Sequence, residues 1–247
     1  AALVPLHFWL PSSYAEAPAP VAALFAIMTK VGFYAMVRVY ALAFADGPFA
    51  GLGQQALWWL ALVTLGLACI GVLGAKRLGT LVSYLVVMSV GTLVAALAFG
   101  QLQALGPALY YLLHSTLICG GLFLLTDLIA RGRGEVADCL QIGPAILNGG
   151  RLSLLFFVAA IAVVGLPPLS GFVGKVALLR SVPDPTYWVL LLIAGLCGLV
   201  ALSRAGSTLF WRTTGEGSGL RPARRHLLSV VGLLLLSPLM AVYAEPL

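Results

Sequence analysis

The sequence predicts an all-α, polytopic membrane protein, a bundle of about seven transmembrane helices. Composition is the first reason: 61% of the residues are hydrophobic, only 9% are charged, and the mean hydropathy is +1.05. Soluble domains carry about 25% charged residues. The second reason is that the apolar residues form runs close to or above the ~20 residues with which a helix crosses the hydrocarbon core. None of these runs shows the alternation typical of a membrane β-barrel.

Seven apolar runs define the predicted helices, and each is interpreted as one membrane crossing. They cover residues 21–44, 56–74, 78–99, 107–130, 152–179, 187–210 and 227–244. The connections are short except at 131–150 and 212–226, which are predicted to be cytoplasmic loops. The whole chain, 1–247, is therefore expected to form a single transmembrane domain.

The distribution of basic residues is the third observation, and it predicts the orientation. The connections on the side of the N-terminal segment hold nine basic residues: Lys76, Arg77, Arg131, Arg133, Arg151, Arg212, Arg221, Arg224 and Arg225. The short loops of the opposite side hold only Arg180. Because cytoplasmic loops carry the excess of Lys and Arg, the N-terminal segment is predicted to be cytoplasmic and the C-terminus to lie on the other side. The cluster at 221–225 is predicted to contact lipid headgroups, and no nucleic-acid partner is needed to explain the net charge of +6.

The fifth run is predicted to be a broken helix. It contains GLPPLSG at 165–171, in which Pro167 and Pro168 remove two consecutive backbone donors and Gly171 loosens the following turn. Irregular backbone at membrane depth needs protein or water as a partner, and discontinuous helices recur at transporter ion sites. A simple proline kink is the alternative. Residues 1–20, with LVPLHFWLPSS, have a similar character and are predicted to be the end of another broken helix followed by a cytoplasmic loop.

Three ionisable side chains are predicted to lie deep inside the membrane: Lys30, His114 and Lys175. A charge at the bilayer centre costs about 2.5–3.5 kcal/mol on insertion scales, so such residues usually mark an ion or proton pathway. A buried lysine gains or loses its proton as a counter-charge moves, and histidine titrates near neutrality. The three are therefore predicted to be successive stations of a proton pathway. The alternatives are snorkelling for the two lysines and a core histidine that bonds across helices for His114.

Neighbouring polar residues are predicted to support this pathway. Tyr34 and Arg38 follow Lys30 at i+4 and i+8 and are expected to continue a polar stripe along the same helix. The hydroxyl groups near His114 are expected to hold water, and they belong to Tyr110, Ser115 and Thr116. Apart from Asp127, at the cytoplasmic end of its helix, no carboxylate lies within the apolar runs, so the acidic partner of the lysines is expected upstream of Ala1 or on another subunit.

Two further predictions concern sites. Asp127 and Arg131, at i and i+4, are expected to form a structural ion pair. No catalytic residue and no cofactor are predicted. No metal site is predicted either, because the four cysteines lack C-x-x-C or any other regular spacing.

Four stretches resemble the antiporter-like membrane subunits shared by Mrp/Pha cation/proton antiporters and respiratory complex I. They are LVPLHFWLPSSYAEAPAPVAALFAIMTKVGFYAMVRV, AKRLGTLVSYLVVMSVGTLVAA, ALYYLLHSTLICGGLFLLTDLI and FFVAAIAVVGLPPLSGFVGKVALL. The resemblance covers essentially the whole chain and is strongest to the D-type subunits of the Mrp/Pha complexes. It implies a fold of fourteen transmembrane helices with inverted repeats and two broken helices. This chain would then be the C-terminal half.

The same resemblance assigns roles to residues. Lys30 matches the central channel lysine of the family, His114 the histidine between two half-channels, and Lys175 the terminal lysine on the second broken helix. The glutamate of the family and the lysine of its first broken helix would fall upstream of Ala1.

The function implied is that of a secondary transporter subunit and not of an enzyme. It would conduct protons in a multi-subunit antiporter that exchanges them for K⁺ or Na⁺. A proton-pumping translocase subunit of respiratory complex I is an alternative, and a non-transporting membrane scaffold is a second one. The expected partners are other membrane subunits, protons, monovalent cations and the lipids of a bacterial inner membrane.

Overall fold

The computed structural model describes residues 2–43, 51–100, 102–147, 149–214 and 224–243, and every regular element within these ranges is a helix. The α-helices in chain order are α1 (Trp9–Glu16), α2 (Ala19–Ala43), α3 (Gln54–Gly74), α4 (Leu78–Ala98), α5 (Leu105–Arg133), α6 (Gly149–Val164), α7 (Ser170–Ser181), α8 (Pro185–Gly206) and α9 (Arg224–Val242). A π-helical turn, Ser207–Trp211, extends α8, and short 3₁₀ turns occur at Leu6–Phe8, Leu102–Ala104 and Gly134–Val136.

The predicted membrane bundle is confirmed. Among the described residues, six helices are long and apolar enough to cross a membrane: α2, α3, α4, α5, α8 and α9. The predicted run 152–179 is instead divided, because α6 ends at Val164 and α7 begins at Ser170. The predicted break is therefore confirmed, and a kink within one continuous helix is excluded.

The predicted helix ends differ from the observed ones by a few residues, for local reasons. α2 begins at Ala19 and not at residue 21. Pro20 fits the first turn because the N–H groups there have no partner within the helix, so the missing N–H of proline breaks no hydrogen bond. α8 begins at Pro185 because Asp184 caps it, accepting the backbone N–H groups of Thr186 at 2.8 Å and Tyr187 at 3.1 Å. Some predicted boundaries lie outside the described residues. They are the helix ends at 44 and 244 and positions 215–223 of the predicted loop 212–226.

α4 is the central helix of the bundle. Nearly all of its side chains are buried, and α1, α3, α5 and α8 pack around it. The surrounding helices expose large apolar side chains, among them Ile70 on α3, Leu192 on α8 and Leu235 on α9. Such surfaces are typical of helices that face lipid or other membrane subunits.

At one end of the bundle, ion pairs join three separate segments. Arg77, just before α4, pairs with Glu16 at the end of α1 at 2.6 Å and with Asp138 in the loop after α5 at 2.9 Å. Asp138 is buried and also accepts the backbone N–H of Gly79 at 2.9 Å. Its hydrogen bond with Arg77 raises the pKa of the guanidinium above the ordinary value. These contacts fix the α5–α6 loop against the start of α4.

Two arginines at the end of α5 have different environments. Arg131 pairs with Asp127 at 2.8 Å, which confirms the predicted ion pair. Arg133, predicted only as one of the loop charges, is buried. Its guanidinium donates to the backbone carbonyls of Ala137, Cys139 and Gln141 at 3.2, 2.6 and 2.5 Å. Arg133 therefore holds the first part of the α5–α6 loop in place.

Candidate functional site

Lys30 lies in the middle of α2 and is only 2% exposed. Its ammonium donates a hydrogen bond to the hydroxyl of Ser89 on α4 at 2.7 Å, and Ser89 in turn donates to the carbonyl of Val86 at 2.7 Å. Among the described residues, no carboxylate pairs with this ammonium. Snorkelling requires an ammonium at the surface, so that alternative does not fit Lys30.

The polar stripe expected beyond Lys30 turns toward the exterior of the bundle. Tyr34 is 52% exposed, and Arg38 is exposed as well. The reason is geometric: with 3.6 residues per turn, position i+4 is rotated by about 40° and position i+8 by about 80° from position i. The stripe therefore leaves the interior. A supporting role for Tyr34 and Arg38 stays a prediction.

Further buried polar side chains of α4 and α5 lie near Lys30 and His114. Ser89 and Thr92 are three residues apart and share one face of α4. The side chain of Thr92 interacts with that of Tyr111, whose ring centroid lies 5.9 Å from that of His114. These residues are all buried. Ser89, Thr92 and Tyr111 were not predicted, although a serine and a threonine at i and i+3 in the apolar string LVVMSVGTLV were a signal for the first two.

His114 belongs to a buried chain of hydrogen bonds that spans three helices. Its Nδ1 lies 2.7 Å from the hydroxyl of Ser170, the first residue of α7. The hydroxyl of Ser170 lies 2.7 Å from that of Ser237 on α9. All three side chains are almost fully buried. Neither serine was predicted; an isolated serine in LLLLSPLM was the signal for Ser237.

The residues next to His114 use their hydroxyl groups elsewhere. Ser115 and Thr116 both donate to the carbonyl of Leu112 within α5, at 3.1 and 2.7 Å. Tyr110 donates to the carbonyl of Met240 on α9 at 3.1 Å. Their predicted role in holding water near His114 stays a prediction.

The break between α6 and α7 follows from its local sequence. Gly165 adopts a φ of +82°, in the left-handed region that glycine tolerates. The N–H of Leu166 bonds back to the carbonyl of Ile161 at 3.1 Å, a pattern common at glycine-terminated helix ends. The next two residues, Pro167 and Pro168, have no N–H, so α6 cannot continue.

Lys175 supplies the donors that the two prolines lack. In an uninterrupted helix the carbonyls of Val163 and Val164 would accept N–H groups from residues 167 and 168, which are both proline. Instead, the Lys175 ammonium donates to Val163 at 3.2 Å and to Val164 at 2.6 Å. Its positive charge also faces the negative end of the α6 dipole. Lys175 thus points into the bundle and not at lipid, while a hydrated cavity around it stays a prediction.

Two glycines allow His114 and Lys175 to approach the same break. A Cβ at Gly171 would collide with the carbonyl oxygen of Ala162 and would lie 2.9 Å from Nε2 of His114. A Cβ at Gly165 would lie 2.8 Å from Cδ of Lys175. The structure therefore brings His114 and Lys175 together at the break, whereas no hydrogen bond or ion pair among the described residues joins Lys30 to it.

His7 is a further buried ionisable residue that the sequence analysis did not single out. It lies in the 3₁₀ turn before α1 and is almost fully buried. Its Nδ1 has no hydrogen-bond partner among the described residues. The signal was a histidine within LVPLHFWLPSS, the stretch predicted to be the end of another broken helix.

Lys30, His114 and Lys175 can each hold a proton, and two of them contact a hydroxyl, which can both donate and accept one. Lys30 and His114 each place a titratable nitrogen against a hydroxyl, and Lys175 places one against backbone carbonyls. In the described part of the chain, no group of three or more His, Cys, Asp or Glu side chains is positioned to hold a metal ion.

Comparison with known proteins adds independent information. Residues 1–201 match the family described as NADH:quinone oxidoreductase/Mrp antiporter, TM. The chain is 39% identical over 245 residues to the D-type subunit of a probable K(+)/H(+) antiporter of Rhizobium meliloti. It is 36% identical over 214 residues to the D-type subunit of a Na(+)/H(+) antiporter of Bacillus subtilis. Each alignment covers 85% of this chain but only 46% and 43% of those relatives, so the chain spans about half their length.

A solved structure has the same fold. A chain of the Mrp complex from Dietzia sp. DQ12-45-1b superposes with a TM-score of 0.82, covering 99% of this chain and 54% of that chain. The sequence identity is 19%, so this likeness supports the fold alone.

Proposed function

The chain belongs to the NADH:quinone oxidoreductase/Mrp antiporter transmembrane family, and on this premise we propose that it is a proton-conducting membrane subunit of a multi-subunit monovalent cation/proton antiporter. Protons pass through a relay that includes Lys30, His114 and Lys175, in exchange for K⁺ or Na⁺ moved by the complex. Other membrane subunits complete the assembly. The N-terminal segment lies in the cytoplasm, an orientation that the distribution of basic residues supports.

The burial of the Lys30 ammonium carries this proposal. Burying an ammonium whose hydrogen-bond partner is a neutral hydroxyl costs free energy. An apolar side chain of similar volume would fill the same space without that cost. Such a residue is expected where its charge or its proton is used. The named relatives support the antiporter over a complex I subunit, since both are antiporter subunits.

The test is cation/proton exchange in everted membrane vesicles that contain the complete antiporter. Lys30→Ala and Lys30→Met should both abolish exchange, and methionine also preserves most of the side-chain volume. Thr29→Val is the matched control, because Thr29 is the buried neighbour of Lys30 and its hydroxyl bonds only within α2, to the carbonyl of Ala26 at 3.1 Å. This control should exchange normally.

The amount of assembled complex is measured in the same membranes, because a scaffold would respond differently. If the chain were a scaffold, both Lys30 variants would reduce assembly as much as transport. Near-normal exchange in Lys30→Met, with normal assembly, would contradict the proposal.

A further inference from the structure

We propose that Ser237 on α9 is a proton-relay residue, which carries protons between His114 and the C-terminal end of α9 through Ser170. The pathway then has a branch in addition to Lys175. This inference rests on the proposed function and extends it to a helix that contributes none of the ionisable residues of the relay.

The hydrogen bonds of His114 lead toward α9. Its Nδ1 bonds with Ser170, and Ser170 bonds with Ser237, both at 2.7 Å. A hydroxyl both donates and accepts, so it can receive a proton at its oxygen while releasing its own. The partners of Lys175 are backbone carbonyls, which accept a hydrogen bond but have no proton to pass on. Among the contacts of the described side chains, the hydrogen bonds from His114 through Ser170 to Ser237 therefore form a continuous path of groups that can donate and accept a proton.

The position of Ser237 gives this chain a direction. α5 and α9 run antiparallel, since Gly121 of α5 packs near Leu234, while Tyr110, eleven residues earlier in α5, bonds with Met240 of α9 at 3.1 Å. Ser237 lies five residues before the end of α9 at Val242, and the proposed orientation places this end on the non-cytoplasmic side.

The transfer conserves protons and leaves the serines unchanged. Nδ1–H of the His114 imidazolium gives its proton to Oγ of Ser170 as the original Ser170 proton moves to Oγ of Ser237. The original Ser237 proton leaves to a water molecule toward the C-terminal end of α9. Each O–H bond that breaks is matched by one that forms. Both hydroxyls then rotate back before the next proton passes.

The test compares three variants in the complete complex, with turnover expressed per assembled complex. Ser237→Ala should lower maximal turnover about tenfold, the upper range for loss of one ordinary hydrogen bond. The apparent affinity for the cation should stay unchanged, and Ser237→Thr should restore turnover because it keeps the hydroxyl. Ser229→Ala is the matched control, since Ser229 is an exposed serine of the same helix that bonds with Arg225 within α9.

Each contrary outcome has a distinct meaning. A purely structural bond between helices would make Ser237→Ala reduce the amount of complex while turnover per complex stayed normal, and this result would overturn the proposal. Normal turnover in Ser237→Ala, with exchange lost in Lys30→Met, would also overturn the serine branch while leaving the proposed function intact. Normal exchange in Lys30→Met would instead contradict the proposed function itself.

Discussion

The ammonium of Lys175 lies 2.6 Å from the carbonyl oxygen of Val164, so a side chain of α7 closes the last turn of α6 across the break. The residue four positions after Val164 is Pro168, and the residue four positions after Val163 is Pro167. The prolines that end α6 thus leave unpaired the two carbonyls that Lys175 binds. The break and Lys175 form one structural unit. The charge of Lys175 stabilises the end of α6, and the carbonyls at that end hold the Lys175 side chain in place.

Substitution of Lys175 by arginine separates these two roles. Lys175→Arg keeps a cation at the end of α6, but a guanidinium stays protonated at physiological pH and cannot release a proton. Assembly should therefore be near normal while exchange falls at least about tenfold, toward the level of Lys175→Ala, as expected when a proton-transfer group is lost. The measurement is exchange in everted vesicles, with exposed Lys76→Arg as the control. Normal exchange in Lys175→Arg would remove Lys175 from the pathway.

The break was predictable because its cause is local. Consecutive prolines flanked by glycines terminate a helix whatever surrounds them, and the membrane runs follow from hydropathy alone. The polar stripe of Lys30, Tyr34 and Arg38 leaves the interior because a spacing of four positions drifts around the helix. Sequence spacing therefore identifies neighbours along a helix but not which of them are buried. Which helix packs against which is a tertiary property. Ser89 and Ser237 became recognisable as partners only once α4 and α9 were placed beside Lys30 and Ser170.

Gly171 should resist substitution because of the close approach of α6 and α7. Gly171→Ala places a methyl group against the carbonyl of Ala162 and close to His114, and overpacking of this kind costs about 1–3 kcal/mol. We expect a lower thermal midpoint of the purified complex. Gly66→Ala in α3 is the control: a Cβ there meets no atom within 4 Å, and alanine favours the helix, so its midpoint should be unchanged or higher. Equal midpoints for the two variants would contradict the tight contact.

The two arms of the Arg77 ion-pair network should differ in their contribution to stability. Asp138 is buried and holds both Arg77 and the N–H of Gly79, so Asp138→Asn should cost about 1–3 kcal/mol. Glu16 is largely exposed, and Glu16→Gln should cost less than about 1 kcal/mol, as surface ion pairs do. Thermal unfolding of the complex measures both. A larger loss for Glu16→Gln than for Asp138→Asn would mean that the buried arm is not the stabilising one.

Ser89 should determine how effectively Lys30 works. Its hydroxyl is the hydrogen-bond acceptor of the buried ammonium, and hydrogen bonds to charged groups contribute about 1.5–3 kcal/mol. Ser89→Ala should therefore lower exchange by about tenfold or more without loss of the assembled complex, and Ser89→Thr should retain most of the activity. Ser83→Ala is the matched control, because Ser83 is also buried in α4 but its hydroxyl bonds only to the carbonyl of Gly79 at 2.8 Å. If both alanine variants exchanged at the same rate, the Ser89 hydroxyl would have no specific part in proton transfer at Lys30.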